Sequence, residues 1–241
     1  REIKSFPETA AARIVAAREG GYQSIAELYR RTGLSKALLD RRARADAYRS
    51  IEFLRRQAAW DIRALDDAPL PLFAGLGGDG ESLHPTTLGS AIRLPVMSMG
   101  EQVLEDYATL RMSLRCHPLY LLRPELEACG VVPCTQLTCL KPEQQVTVAG
   151  LVLSRQRPGT ARGVIFMALE DETGSANLVG WADVLERFRR IVVGARLLVC
   201  TGRLQREGLV IHIIARHLED YSQHLDGLVD LGREAEPAAP Q

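Results

Sequence analysis

Cysteine, histidine and arginine carry most of the chemical reach in this 241-residue chain, and their spacing tells them apart. Cys129, Cys134 and Cys139 recur every five residues, with Cys116-His117 upstream. Structural zinc sites usually open with cysteines about two to four residues apart. The neighbours Val131, Val132 and Leu137 point instead to core packing. His84, His212, His217 and His224 are scattered, and His117, just before Pro118, is expected to fix a local turn. Asp171 and Glu172 fall in a strand-to-strand turn with Thr173-Gly174 and should shape it. The sequence shows no glycine-rich phosphate loop, nucleophile elbow or spaced carboxylate pair. Neither a catalytic residue nor a resident cofactor or metal is therefore expected in this segment. The arginines read differently. Arg155, Arg157 and Arg162 flank Pro158-Gly159, Arg203 and Arg206 flank Glu207-Gly208, and Arg55, Arg56 and Arg63 share one helical segment. Guanidinium groups placed this way suit a phosphate backbone.

The elements that must position them are legible from periodicity. Apolar β-like runs cover 146–155, 162–170, 175–182, 195–204 and 208–218, each bounded by turn residues. Between the third and fourth runs, ADVLERFRRIV fits a helix with Val184, Leu185, Phe188 and Ile191 on one side. Five strands with a helix between the third and fourth is the order of a closed Greek-key barrel of the OB type, which binds single-stranded nucleic acid, proteins or sugars. Several strands are apolar on both faces, so neighbouring chain is expected to cover part of the outside. Phe166 and Trp181 are the large aromatics on the strands. Val164 and Ala168 beside Phe166 point to core packing, whereas Trp181, at its strand end, is open to stacking. Single-strand binding at such a barrel is expected to be sequence-tolerant and electrostatic, with the arginines outweighing the rings.

In front of the barrel, four short helices are predicted within residues 1–65. Ser5, with Pro7 and Glu8, reads as the first helix start, Ser24 caps the second, the third begins at Ser35, and the fourth spans about 50 to 65. Short helices with small-residue turns make a bundle of the helix-hairpin-helix kind, which sets backbone amides and arginines against DNA. An all-helical packing domain with a solvated arginine face is the alternative. Residues 66–100 are proline- and glycine-rich linker, in which Leu70, Leu72 and Phe73 are candidate anchors for a partner's pocket or for the chain's own surface. Residues 101–143 read as a helical connector, 144–221 as the barrel and 222–241 as a disordered tail.

Composition sets the frame. Net charge is zero, yet residues 1–65 carry fourteen Lys/Arg against eight Asp/Glu, whereas 66–143 carry five against ten. A basic front can meet phosphate through counterion release; an acidic middle cannot do so easily. No apolar run approaches the roughly 18 residues of a membrane span. An odd number of irregularly spaced cysteines and no signal-peptide pattern predict a cytoplasmic protein. The start at Arg1 suggests a piece of something longer.

Certain stretches carry a resemblance. AARIVAAREGGYQSIAELYRRTGL, LRRQAAWDIRALDDAPLPLF, MSMGEQVLEDYATLRMSLRCHPL and the block VAGLVLSRQRPGTARGV…LEDETG…W resemble the C-terminal region of the bacterial C-family DNA polymerase III alpha subunit, in its error-prone, damage-inducible branch. The resemblance implies a helix-hairpin-helix module on duplex DNA and a barrel near the single-stranded template. It also implies a parent nucleotidyltransferase working with Mg2+ in translesion synthesis, whose catalytic aspartates lie in an upstream palm domain, so this segment alone is expected to be inactive. A docking module for accessory polymerase proteins is the alternative. Leu70-Pro71-Leu72-Phe73 is similar to sliding-clamp peptides, although Pro69 stands where those carry glutamine. Ser5-Phe6 replaces the family's glycine-leucine hairpin pair, and Arg42 stands where relatives tend to carry leucine. The tail also lacks the branch's basic-aromatic ending.

Overall fold

The computed structural model describes residues 3–51, 53–65, 94–159, 163–208 and 210–231. Two compact units emerge, Arg1–Met97 with Glu105–Met112, and Ser98–Leu104 with Ser113–Gln241. The first is a helical bundle; the second carries the five-stranded barrel.

In the first unit, α1 (Glu8–Ala16), α2 (Ile25–Thr32), α3 (Lys36–Arg44) and α4 (Arg55–Arg63) enclose Leu28, Leu34, Leu39, Tyr48 and Ile62. The start of α2 is a capping box: the Glu27 amide donates to Ser24 Oγ at 3.1 Å, while a Glu27 carboxylate oxygen accepts from the Gln23 amide at 2.7 Å. The first helix starts differently from expectation. Pro7, not Ser5, is its N-cap residue, and Ser5 sits at φ +58. Gly33, just before α3, has the same φ of +58. Two turns of one geometry, Ser5-Phe6-Pro7 and Gly33-Leu34-Ser35, thus precede α1 and α3. Ser5 thus adopts a left-handed conformation, at the roughly 1–2 kcal/mol that a side chain incurs there. Arg42 of α3 is half-buried, with its guanidinium 5.1 Å from the Tyr48 ring centroid.

In the second unit, β1 (Gln145–Gln156), β2 (Ile165–Glu170), β3 (Ser175–Gly180), β4 (Leu197–Glu207) and β5 (Val210–Asp220) close in the order β1-β2-β3-β5-β4. All neighbours are antiparallel except β3 and β5. Val148, Met167, Leu169, Leu178, Leu198, Cys200, Leu204 and Ile213 fill the interior. The predicted single helix after β3 is broken at Phe188 into α7 (Ala182–Arg187) and α8 (Arg189–Gly194), and Val184 and Val192 turn into the barrel core. Outside, Ala149, Leu151, Leu197 and Val199 of β1 and β4 meet Leu119, Leu122 and Leu126 of α6 (Pro118–Ala128). Leu225 and Leu228 complete this outer layer, so the expected disordered tail begins with α9 (Ser222–Asp226) and a 3-10 turn, Gly227–Val229. Their spacing of three puts both leucines on one helical face, a signal hidden in a short polar segment.

Helix α5 (Met99–Leu110) is divided between the units, residues 99–104 belonging with the barrel. There Gly100 is pressed against the tail: a Cβ at this position would stand 1.8 Å from the Leu228 carbonyl oxygen. Gly100→Ala must push the tail off the outer layer, and about 1–3 kcal/mol of destabilisation is expected. A melting curve should show the barrel unit losing several degrees; an unchanged midpoint would mean the tail is not held there.

Candidate nucleic-acid interface

Among the described residues of this unit, α6 and α9 cover β1 and β4 and leave uncovered the outer face of β2, β3 and β5. Strand register defines what it presents. One row runs Gln156, Phe166, Val179, Ile214, Arg203, and the next runs Ser154, Ala168, Asn177, His212, Gln205. Phe166 is therefore not a core residue. It alternates with Ile165 and Met167, which point inward, and stands 39% exposed. Both faces of β2 are apolar, and the neighbours used to place Phe166 inside, Val164 and Ala168, share its outward face. Trp181, one residue beyond β3, is 53% exposed. Asn177 is exposed, and His212 is half-buried with its Nδ1 shielded and unpartnered among the described residues. Neither was singled out from sequence, although the alternation of SANLVG already put Asn177 opposite Leu178 and Ala176.

Three of the barrel arginines expected to bind the strand are engaged within the barrel unit. Arg155, opposite the inward Met167, donates from Nε to the Val192 carbonyl at 2.5 Å and from Nη2 to the Ala195 carbonyl, closing the C-terminal end of α8. Arg206 donates to the carbonyls of Leu137, Thr138 (2.6 Å) and Leu140, holding the segment before β1. Arg203 faces out but is ion-paired with Glu143. Arg157 is exposed beside the β1–β2 turn. Arg162 and the anchors Leu70, Leu72 and Phe73 lie outside the described residues. Of the residues expected to bind the strand, Trp181 and Arg157 are open, while Arg155 and Arg206 serve the barrel's own backbone.

In the helical unit, Arg55 is 6% exposed and its guanidinium is ion-paired with Asp106, 3% exposed. It is the first residue of α4 and turns inward, so it is a structural pair rather than a surface cation. Arg56 reaches the Pro95 carbonyl at 3.1 Å, and Arg63 is exposed. With Trp60, 39% exposed, they follow one another at four and three residues along α4. The N-termini of α1 and α3, at the two matching turns, carry no side-chain bond from their N-cap residues Pro7 and Ser35.

The β2–β3 turn that sets the register of the open face is tied by Asp171. This buried carboxylate accepts from the amides of Cys134 (2.8 Å), Thr173 (2.7 Å) and Gly174 (2.9 Å) and from Thr173 Oγ1 (2.7 Å). Arg123 of α6 clamps it at 3.3 Å and Glu172 at 2.6 Å. Burial alone would raise the carboxyl, but the bonds from Thr173 and Cys134 outweigh it and hold the group below the usual aspartate range. His117 caps α6 by accepting from the Leu119 amide at 3.2 Å, and burial lowers its pKa. Of the cysteines, Cys134 and Cys200 are buried, their thiols pushed up to about 12, while Cys129 and Cys139 are exposed.

Residues 146–221 match the family described as OB-fold nucleic acid binding domain, and residues 1–58 match the helix-hairpin-helix motif. "Error-prone DNA polymerase" of Ruegeria pomeroyi is 48% identical over 242 residues, covering 100% of this chain and 21% of that protein. "Error-prone DNA polymerase 1" of Rhizobium meliloti is 45% identical over 229 residues, covering 93% of this chain and 20% of that protein. The chain matches the C-terminal helix-hairpin-helix and OB region of the error-prone, family C bacterial DNA polymerases. It spans about a fifth of the length of these polymerases. The two matched regions fall one in each unit, and no described helix is long and apolar enough to cross a membrane.

Asp171→Ala leaves three amides without an acceptor and Arg123 with one carboxylate instead of two. The barrel should lose about 3–5 kcal/mol, read by chemical denaturation. Since folding lowers the pKa of this group, its contribution is complete above the unfolded value near 3.8 and fades as pH falls through the lower folded value. Acid denaturation of the parent should therefore be steeper in that range than that of the variant. Superimposable acid curves would remove Asp171 from this role.

Proposed function

We propose that this chain is the DNA-holding portion of an error-prone polymerase. The helical unit takes duplex DNA at its two matching turns and along the α4 stripe; the barrel takes the single-stranded template on the open β2–β3–β5 face. Nucleotidyl transfer, with Mg2+, belongs on this reading to carboxylates elsewhere in the longer protein, in the cytoplasm, and this chain alone carries none. The carrying observation is the barrel wall, whose β1–β4 side is sealed by the chain's own helices while Phe166, Trp181, Asn177 and His212 line the other. Stacking on an aromatic contributes about 1–3 kcal/mol per base and tolerates any sequence. With Arg155 and Arg206 engaged by backbone and Arg203 by Glu143, stacking outweighs charge on this face, the reverse of the weighting drawn from sequence. Docking of an accessory protein on the same apolar-aromatic face is the second reading, favoured by that scarcity of free cations.

Two measurements test the assignment. Phe166→Ala with Trp181→Ala should weaken binding of a labelled single-stranded oligonucleotide at least about tenfold, near 1.4 kcal/mol, with unchanged melting. Arg203→Ala should change it less than about threefold and leave a shallow salt dependence. If both variants bind like the parent, the face belongs to a protein partner. On duplex DNA, Arg63→Ala should lower affinity equally for unrelated sequences and reduce the salt slope by roughly one unit. Arg55→Ala should instead destabilise the helical unit, since it removes the guanidinium ion-paired with the buried Asp106. An unaltered slope for Arg63→Ala would make that residue solvated surface.

A further inference from the structure

We infer that the single strand does not end its path on the sheet but turns past Trp181 into a cleft beside α7 and α8, where Arg157 and Arg189 hold backbone phosphate and an unpaired base lies against an apolar floor. This rests on the reading of the β2–β3–β5 face as a single-strand site. The cleft, about 430 Å³, is lined by Arg157 and Gly163 and by residues of α7 and α8. That volume is within the roughly 300–1,000 Å³ of small-ligand sites. Ala182, Leu185 and Val193 contribute its accessible apolar lining, and Arg157 and Arg189 its positive charge. Unlike Arg155, Arg203 and Arg206, these two arginines make no hydrogen bond or ion pair with the described residues.

Position along the barrel connects the cleft to the face. Gln156 is the register partner of Phe166, and Arg157 follows it; Ile165 is the partner of Gly180, and Trp181 follows that. Ala182, next in sequence, already lines the cleft. The aromatic end of the open face and the mouth of the cleft are thus the same end of the barrel. An apolar floor accepts the face of a base only when that base is unpaired, and two free guanidinium groups suit the phosphates on either side of it. Duplex DNA fails the first requirement. Glu186 also lines the cleft and opposes the phosphate charge. Its presence sets an affinity below what the arginines alone would give.

Length separates the cleft from the face. Labelled oligothymidylates of about 4 and about 10 nucleotides bracket the lower range of site sizes for one such barrel, and fluorescence anisotropy on the whole 241-residue chain reads both. Arg157→Ala with Arg189→Ala should weaken the longer strand at least about fivefold and leave the shorter unchanged. Glu186→Gln should tighten the longer strand alone. Phe166→Ala should weaken both. Equal losses at the two lengths, or none at the longer, overturn the cleft while a Phe166→Ala effect leaves the face intact. A parent chain that binds neither strand overturns the face reading and the cleft with it.

Discussion

The constraint on which the barrel unit depends is that β1 and β4 are apolar on both sides. Val146, Val148, Leu198 and Cys200 fill the interior, so Ala149, Leu151, Leu197 and Val199 must be covered from outside. Burying a leucine of that outer layer contributes about 2 kcal/mol, and α6 with the Leu225–Leu228 turn supplies the cover. Once that side is committed, the parallel pairing of β3 with β5 and the antiparallel pairing of β3 with β2 leave one stretch of wall facing solvent. The open face is thus a consequence of packing on the opposite side. The Asp171 turn extends the same logic, because the helix that seals the wall also supplies Arg123, which pins the turn setting the register of the open strands.

Several arginines in this chain act on its own backbone. Arg155 and Arg206 each satisfy carbonyls that helix and strand ends leave over, and Arg31 does the same for Ala17, Glu19 (2.6 Å) and Gly21 (2.7 Å) at the α1–α2 turn. A five-donor planar group reaches several carbonyls at once, which a lysine cannot. Turns rich in arginine therefore have two readings, phosphate contact or carbonyl clamp, and both put guanidinium groups beside glycine and proline. Sequence position does not separate them. Alternation from Val146 and Val148 would put Arg155 on the outer face, and the irregularity between Val152 and Ser154 turns it to the inner register opposite Met167.

Periodicity made the architecture legible, since alternation, turn residues and a helix between the third and fourth runs determine an OB-type order almost uniquely. Three features escaped it for physical reasons. The position of Phe166 was misread because β2 is apolar on both faces, so neighbours could not tell inside from outside. Ser5 was read as a cap because serine before Pro-Glu is a common helix start, whereas the backbone uses it as a left-handed turn residue like Gly33. Arg55 and Arg56 are adjacent in sequence and about 100° apart on the helix, so one turns to Asp106 and the other toward the Pro95 carbonyl; a run of basic residues is never a single surface.

The two units divide their charge in keeping with what each would hold. On the proposed reading, the helical unit offers the exposed Arg63 of α4 and two matching turns to duplex DNA, where phosphates are regularly spaced and the bases are paired and hidden. The barrel's open wall has rings and amide groups in its middle rows, suited to a strand whose bases are exposed and whose phosphates are irregularly disposed. A wall lined with free arginines would hold duplex and single strand alike, since both carry the same backbone charge. Tying Arg155 and Arg206 to carbonyls, and Arg203 to Glu143, reduces that charge, although Arg216 of β5 stays exposed. On the proposed reading, preference for the unpaired strand rests on this reduction as much as on Phe166 and Trp181.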